Sequence, residues 1–164
     1  MPRIDIAQTD VLESIRLRVK TQLNLDDSAC FLVVESGKPP PFPPGADFFV
    51  TVGQGEGTFE LEEQVEGNTT EYSVVTVTGF SRCTRLDASN DYQELMRNTS
   101  RGLLPVKKKI LAALVGHDLL DGYGNSFLRQ LLYAARAGIP QVDAEAGIAW
   151  VSIDFGVGFD WDLT

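Results

Sequence analysis

GIAWVSIDFGVGFDWDLT, residues 147–164, is the stretch whose reading decides the fold. From Val151 to Leu163 every odd position is apolar (Val151, Ile153, Phe155, Val157, Phe159, Trp161, Leu163) and every even position is Ser, Asp or Gly. A two-residue period held without error marks a strand with one face on a core and one facing water. At about 3.3 Å per residue, Ala149–Leu163 runs about 50 Å, where a typical strand has only five or six residues. Such a strand must bend, overhang its sheet, or pair with something outside it. Gly156 and Gly158 are the expected places for a bend or bulge.

Working outward, the preceding segment FLRQLLYAARAG, Phe127–Gly138, reads as a short helix capped by Asn125 or Ser126 and ended by Pro140. Before it, Leu104–Val115 reads as a helix with Val106, Ile110 and Leu114 on one stripe, Lys107, Lys108 and Lys109 outward, Pro105 in its first turn and Gly116 as its stop. A further helical segment opens at Asp87 or Ser89 and runs through Met96. Thr70–Cys83 is a second long alternating strand, with Tyr72, Val74, Thr76, Thr78 and Phe80 on one face.

Nearer the amino terminus, Asp10 and Glu13 form a capping-box pattern for a helix whose Val11, Ile15, Val19 and Leu23 share a face. Ala29–Glu35 and Phe48–Val52 read as strands, separated by the extended Pro-rich loop 37–45. Gly53–Gly57 reads as a hairpin tip rather than a phosphate cradle, because neither glycine fingerprint is met and the next residues alternate as a strand. Glu66-Gly67-Asn68 reads as a second turn. The acidic, Gly-rich hairpin region 53–71 includes Glu56, Glu60, Glu62, Glu63, Glu66 and Glu71, with no basic residue among them.

With 164 residues and 43% hydrophobic content, the expectation is one domain spanning 1–164. Strands and helices in separate blocks indicate an α+β fold: a mainly antiparallel β-sheet with helices packed on one face and a long C-terminal strand. No run of apolar residues is long enough to span a membrane, and no membrane partner is expected. A net charge of −9 argues against a surface that grips nucleic acid. Cys30 and Cys83 lie in strand-like segments and read as packed free thiols. His117 and Asp118 are adjacent, but no motif places a nucleophile beside them, so no catalytic residue is assigned and no enzyme is expected. Asp154, Asp160 and Asp162 are spread along one strand face, and neither a metal site nor a cofactor is expected.

The order of elements resembles the tail terminator, or tail-completion, proteins of long-tailed phages. The residues that carry it are Pro43 and Pro44 before Asp47–Val50, the strand Tyr72–Phe80, the helix around Ile110–Leu114, and Trp150-Val151-Ser152-Ile153-Asp154-Phe155. The resemblance implies a virion structural protein of the tail and neck, assembled in the host cytoplasm. It implies a homo-oligomeric ring, a hexamer, that caps the tail tube protein, ends its polymerisation and meets the connector or head-completion protein. DNA would pass through its lumen without specific binding. Under that reading Glu56, Glu60, Glu62, Glu63 and Glu66 line the lumen, and the outer strand residues Phe155, Val157, Phe159 and Trp161 pack on a neighbouring subunit or tube ring. The alternatives are a tail-tube or head-completion protein of the same particle, or a ligand-binding β-domain that uses Trp150, Trp161 and Tyr123 as stacking platforms.

Overall fold

In a computed structural model, residues 8–34, 40–83, 88–99, 102–119, 131–143 and 145–162 are described. The C-terminal stretch forms β6 (Ile148–Asp162), and its partner is the other long alternating segment, β3 (Asn68–Arg82). They run antiparallel in one unbroken register, from Asn68 opposite Asp162 to Arg82 opposite Ile148. The length of β6 is therefore matched within the chain. It does not overhang, and no bulge interrupts this ladder at Gly156 or Gly158.

Gly156 has another role. A Cβ there would overlap the ring of Tyr133, so the missing side chain is what lets that ring lie across β6. Tyr133 belongs to β4 (Tyr133–Ala137), which pairs with the outer edge of β6 where a helix was expected. The correction has a tertiary cause. Buried Leu132 exchanges backbone hydrogen bonds with the turn after Leu114: Gly116 N–H donates to Leu132 O at 2.8 Å, and Leu132 N–H to His117 O at 3.1 Å. This fixes the chain beside an open strand edge, where ladder bonding outweighs the helix propensity of Leu and Ala. Residues 127–130 of the expected helix lie outside the described residues.

The second correction concerns Gly53–Gly57. They do not turn the chain but lie inside β2 (Phe48–Phe59), which continues antiparallel to β3 with a register shift between Gln54 and Gly57. A Cβ on Gly57 would overlap the Glu71 carboxylate, so this glycine records close approach of a neighbour. The connection comes later, through a single 3-10 turn at Leu61–Glu63 and the expected turn at Glu66-Gly67.

A short β1 (Cys30–Val33) runs parallel to β2, and β5 (Gln141–Asp143) pairs with the lower part of β6. The described residues thus form a six-stranded, mostly antiparallel sheet in the order β1-β2-β3-β6-β4, with β5 also against β6. The helices α1 (Gln8–Leu23), α2 (Ala88–Arg97) and α3 (Leu103–Leu114) all cover one face. Asp10 lies within α1 rather than capping it. On that face Val11, Ile15 and Val19 of α1 and Val106, Ile110 and Leu114 of α3 pack on Val50, Val52, Val75, Val77, Ile153 and Phe155.

The opposite face carries no helix among the described residues. Its lower end is closed by an aromatic row across four strands: Phe31 stacks on Phe49 at 5.7 Å, Phe49 on Phe80 at 4.7 Å, and Phe80 lies 6.3 Å from Trp150. Phe42, from the described part of the Pro-rich loop, meets Phe49 edge-on at 4.9 Å, and the Arg82 guanidinium sits 4.5 Å over Phe42. Above the row the face turns polar, where Thr76 Oγ1 donates to Asp154 Oδ1 at 2.8 Å and the Thr78 and Ser152 hydroxyls share a bond of 2.9 Å.

Candidate assembly surfaces

Four residues of β6 were expected at an interface. Phe155 is 0% exposed and Val157 2%, both inside the main core, so these two are removed from any interface by burial in their own chain. The side chain of Phe159 lies outside the described residues. Trp161 is half-buried against the same core, and its indole N–H donates to Glu71 Oε2 at 2.8 Å. Burial follows from the pairing: Val157 faces Ser73 and Phe155 faces Val75, so their side chains share the helix-covered face of β3.

Glu71 also departs from the expected solvated acidic run, being a buried residue. Besides the Trp161 bond, its Oε1 accepts from Ser73 Oγ at 3.0 Å, and Gln54 Nε2 donates to Ser73 Oγ at 2.6 Å. This network stitches β2, β3 and β6 together toward the hairpin turn. The platforms suggested for a ligand-binding domain are engaged elsewhere: Trp150 in the aromatic row, Trp161 with Glu71. Tyr123 lies outside the described residues. Asp154 accepts from Thr76 and pairs with Arg136 at 3.2 Å, so it does not present a free carboxylate for a metal. Among the described residues no cluster of three metal-ligating side chains occurs.

The rest of the hairpin faces outward. Glu56, Glu60, Glu62 and Glu66 are exposed, and none forms an ion pair with a described residue; the Glu63 side chain lies outside the described residues. Between these carboxylates stand Phe59, 50% exposed, Leu61, 81%, and Val65, 63%. The sequence had shown the charge but not the exposure of these apolar residues, because the segment after Gly57 read only as an alternating strand.

Two strand edges are also without a neighbour among the described residues. All five residues of β4 are exposed, and its described pairing is with β6 alone. On the other side β1 ends opposite Gly53, leaving Gln54–Phe59 of β2 without a described neighbour on that edge.

A third surface lies on α3. Leu104, Lys108, Ala112 and Val115 are exposed at helical spacing, with Lys107 half-exposed beside them. Lys107 and Lys108 form no ion pair with a described residue. By contrast, the cations of α1 are engaged. Arg16 bonds both Glu13 oxygens, Asp27 at 2.9 Å and the Cys30 carbonyl at 3.1 Å, Lys20 bonds Asp27 at 2.7 Å, and Arg18 donates to Ala113 O at 3.1 Å. Arg16 thereby joins α1 to β1, and burial pushes the adjacent Cys30 thiol up to about 11. Cys30 and Cys83 are both buried, and no disulfide joins them. His117 is exposed just beyond α3, its backbone tied to Leu114 and Leu132.

No family model and no curated protein matches the sequence. Among solved structures, a chain of one described as "Virion of native gene transfer agent (GTA) particle" shares the fold, with a TM-score of 0.50 and 17% sequence identity over 88% of this chain and 93% of that chain.

Proposed function

We propose that this chain is a structural protein of a phage-like particle, a ring-forming tail terminator that caps the tail tube and meets the head connector, with no enzymatic role. The observation that carries the reading is the fold it shares, over nearly the full length of both chains, with a component of a gene transfer agent virion. Two sheet edges unpaired among the described residues support it, because closed rings use head-to-tail interfaces and strand edges are ready material for one. The negative charge supports it too: a surface along which DNA must slide is served by carboxylates rather than by Lys and Arg. Glu56, on the strand portion of the hairpin, is the residue we assign to such a lumen.

Native mass spectrometry and negative-stain imaging of the purified protein, alone and with tube protein, test this. A closed ring, six-fold under the terminator reading, is expected. A monomer that persists in both conditions overturns it. Open tubes of indefinite length would instead select the tail-tube alternative, which shares the same supports.

A further inference from the structure

The tip of the hairpin has a composition that a DNA channel does not require. Phe59, Leu61 and Val65 put three large apolar side chains into solvent, interleaved with Glu60, Glu62 and Glu66. An exposed apolar group of this kind marks a contact surface. Its chemical complement is the α3 stripe, where Leu104 and Val115 present apolar surface beside ammonium groups, two of them, on Lys107 and Lys108, without a described ion-pair partner. Carboxylates around apolar groups on one side meet amines around apolar groups on the other.

The two surfaces do not meet within the described chain, where both stand exposed. Val106 of α3 packs over Gly79, and from Gly79 to Asn68 at the tip the chain follows a continuous ladder with β6. That is about 36 Å of paired strand from the Val106 end of the stripe, and about 20 Å from its Val115 end, which Gly116 and Leu132 tie to the β4 edge opposite Gly156 and Val74, at about 3.3 Å per residue. β2 supports the same hairpin from the other side and Glu71 ties it to Trp161, so it does not fold back onto α3.

We propose that the tip of one copy, through Phe59, Leu61, Val65 and the adjacent glutamates, docks on the α3 stripe of a second copy. The contact is heterologous, with different patches on the two sides, and so supports either closure into a ring or head-to-tail stacking. It rests on the reading of the chain as self-assembling. It places Glu60, Glu62 and Glu66 against a neighbour's lysines and leaves the lumen to the strand portion around Glu56.

Zero-length carbodiimide coupling tests the contact, because it joins only carboxylates and amines already touching. With a mixture of isotopically light and heavy protein, mixed-isotope cross-links between the 56–66 peptide and the Lys107–Lys109 peptide are expected. Leu61→Asp, a change at an exposed site, should keep the circular dichroism spectrum and weaken self-association. Reversing Glu60, Glu62 and Glu66 to Lys, or Lys107 and Lys108 to Glu, should each weaken it about 10- to 100-fold, and carrying both sets of reversals in one chain should restore it. Rings that form equally in parent and variants, without these cross-links, overturn the contact and leave the functional reading standing. Cross-links from the tip to tube protein instead of to a second copy overturn the choice of occupant. A parent protein that never associates, alone or with tube protein, overturns both.

Discussion

Phe155→Ala separates a core role from an interface role at the position where sequence and structure disagree most. Phe155 is fully buried among Val75, Ile153 and the α3 side chains, and its strand is held on both sides by β3 and β4. A site clamped by two ladders collapses poorly around a lost ring, so the upper part of the usual cost of about 3–5 kcal/mol applies. Against a total stability on the order of 5–15 kcal/mol, that is a large fraction. For a chain of this size 4 kcal/mol corresponds to a fall in Tm of about 8–16 °C. Urea and thermal unfolding, followed by circular dichroism at two protein concentrations tenfold apart, read the effect. A core side chain predicts the same parent-to-variant difference at both concentrations, because the loss lies within one chain. A loss below about 1 kcal/mol, or one that changes with concentration, refutes the assignment of Phe155 to the core.

Three further outcomes follow from the same geometry. Trp161→Phe replaces the indole by a smaller aromatic ring and removes the donor to Glu71, leaving a buried carboxylate oxygen short of a partner; the urea midpoint should fall by the equivalent of about 1–3 kcal/mol. Gly156→Ala should displace the Tyr133 ring and loosen β4, so that hydrogen exchange of the Tyr133–Ala137 amides rises while the β3–β6 amides stay protected. Arg16→Ala concerns pH. The Glu13 carboxyl is held below its usual range chiefly by the Arg16 hydrogen bond, and that of Asp27 first by Lys20 and then by Arg16. Both folded values are depressed, so their contribution is present above the ordinary carboxylate range near about pH 4 and fades as pH falls through the lowered values. Without Arg16 the Glu13 titration should move up more than that of Asp27 in carboxyl NMR, and the variant should lose less stability on acidification than its parent.

The alternation of β3 and β6 was legible because each strand has one face on the helices and one outside, and period two survives in such strands. The same reading stopped at the single strand. It gave β6 an overhang, although a second segment of similar length, Thr70–Cys83, stood in the same sequence; pairing the two would have returned Phe155 and Val157 to the core. Glycines misled for a related reason. Gly57 and Gly156 resemble turn and bend positions, yet they answer to Glu71 and Tyr133, residues 14 and 23 positions away in sequence but adjacent across the ladder. β4 was hidden because Leu, Ala and Arg favour helix locally, and only the free edge of β6 makes a strand of them. The acidic surface was legible as charge. Its apolar content was not, since exposure of Phe59 and Leu61 depends on where the helices end.

The aromatic row gives the sheet an uneven stiffness. At its lower end β1, β2, β3 and β6 are gripped between helices on one side and the Phe31–Phe49–Phe80–Trp150 stack on the other. Toward the Glu66-Gly67 turn the ribbon is held by its ladder and the Glu71 network. Among the described residues the sheet is thus gripped from both faces at one end and from one face at the other. A load on the hairpin turn is carried along the unbroken β3–β6 ladder into the stacked rings, so the aromatic row anchors a surface it does not touch.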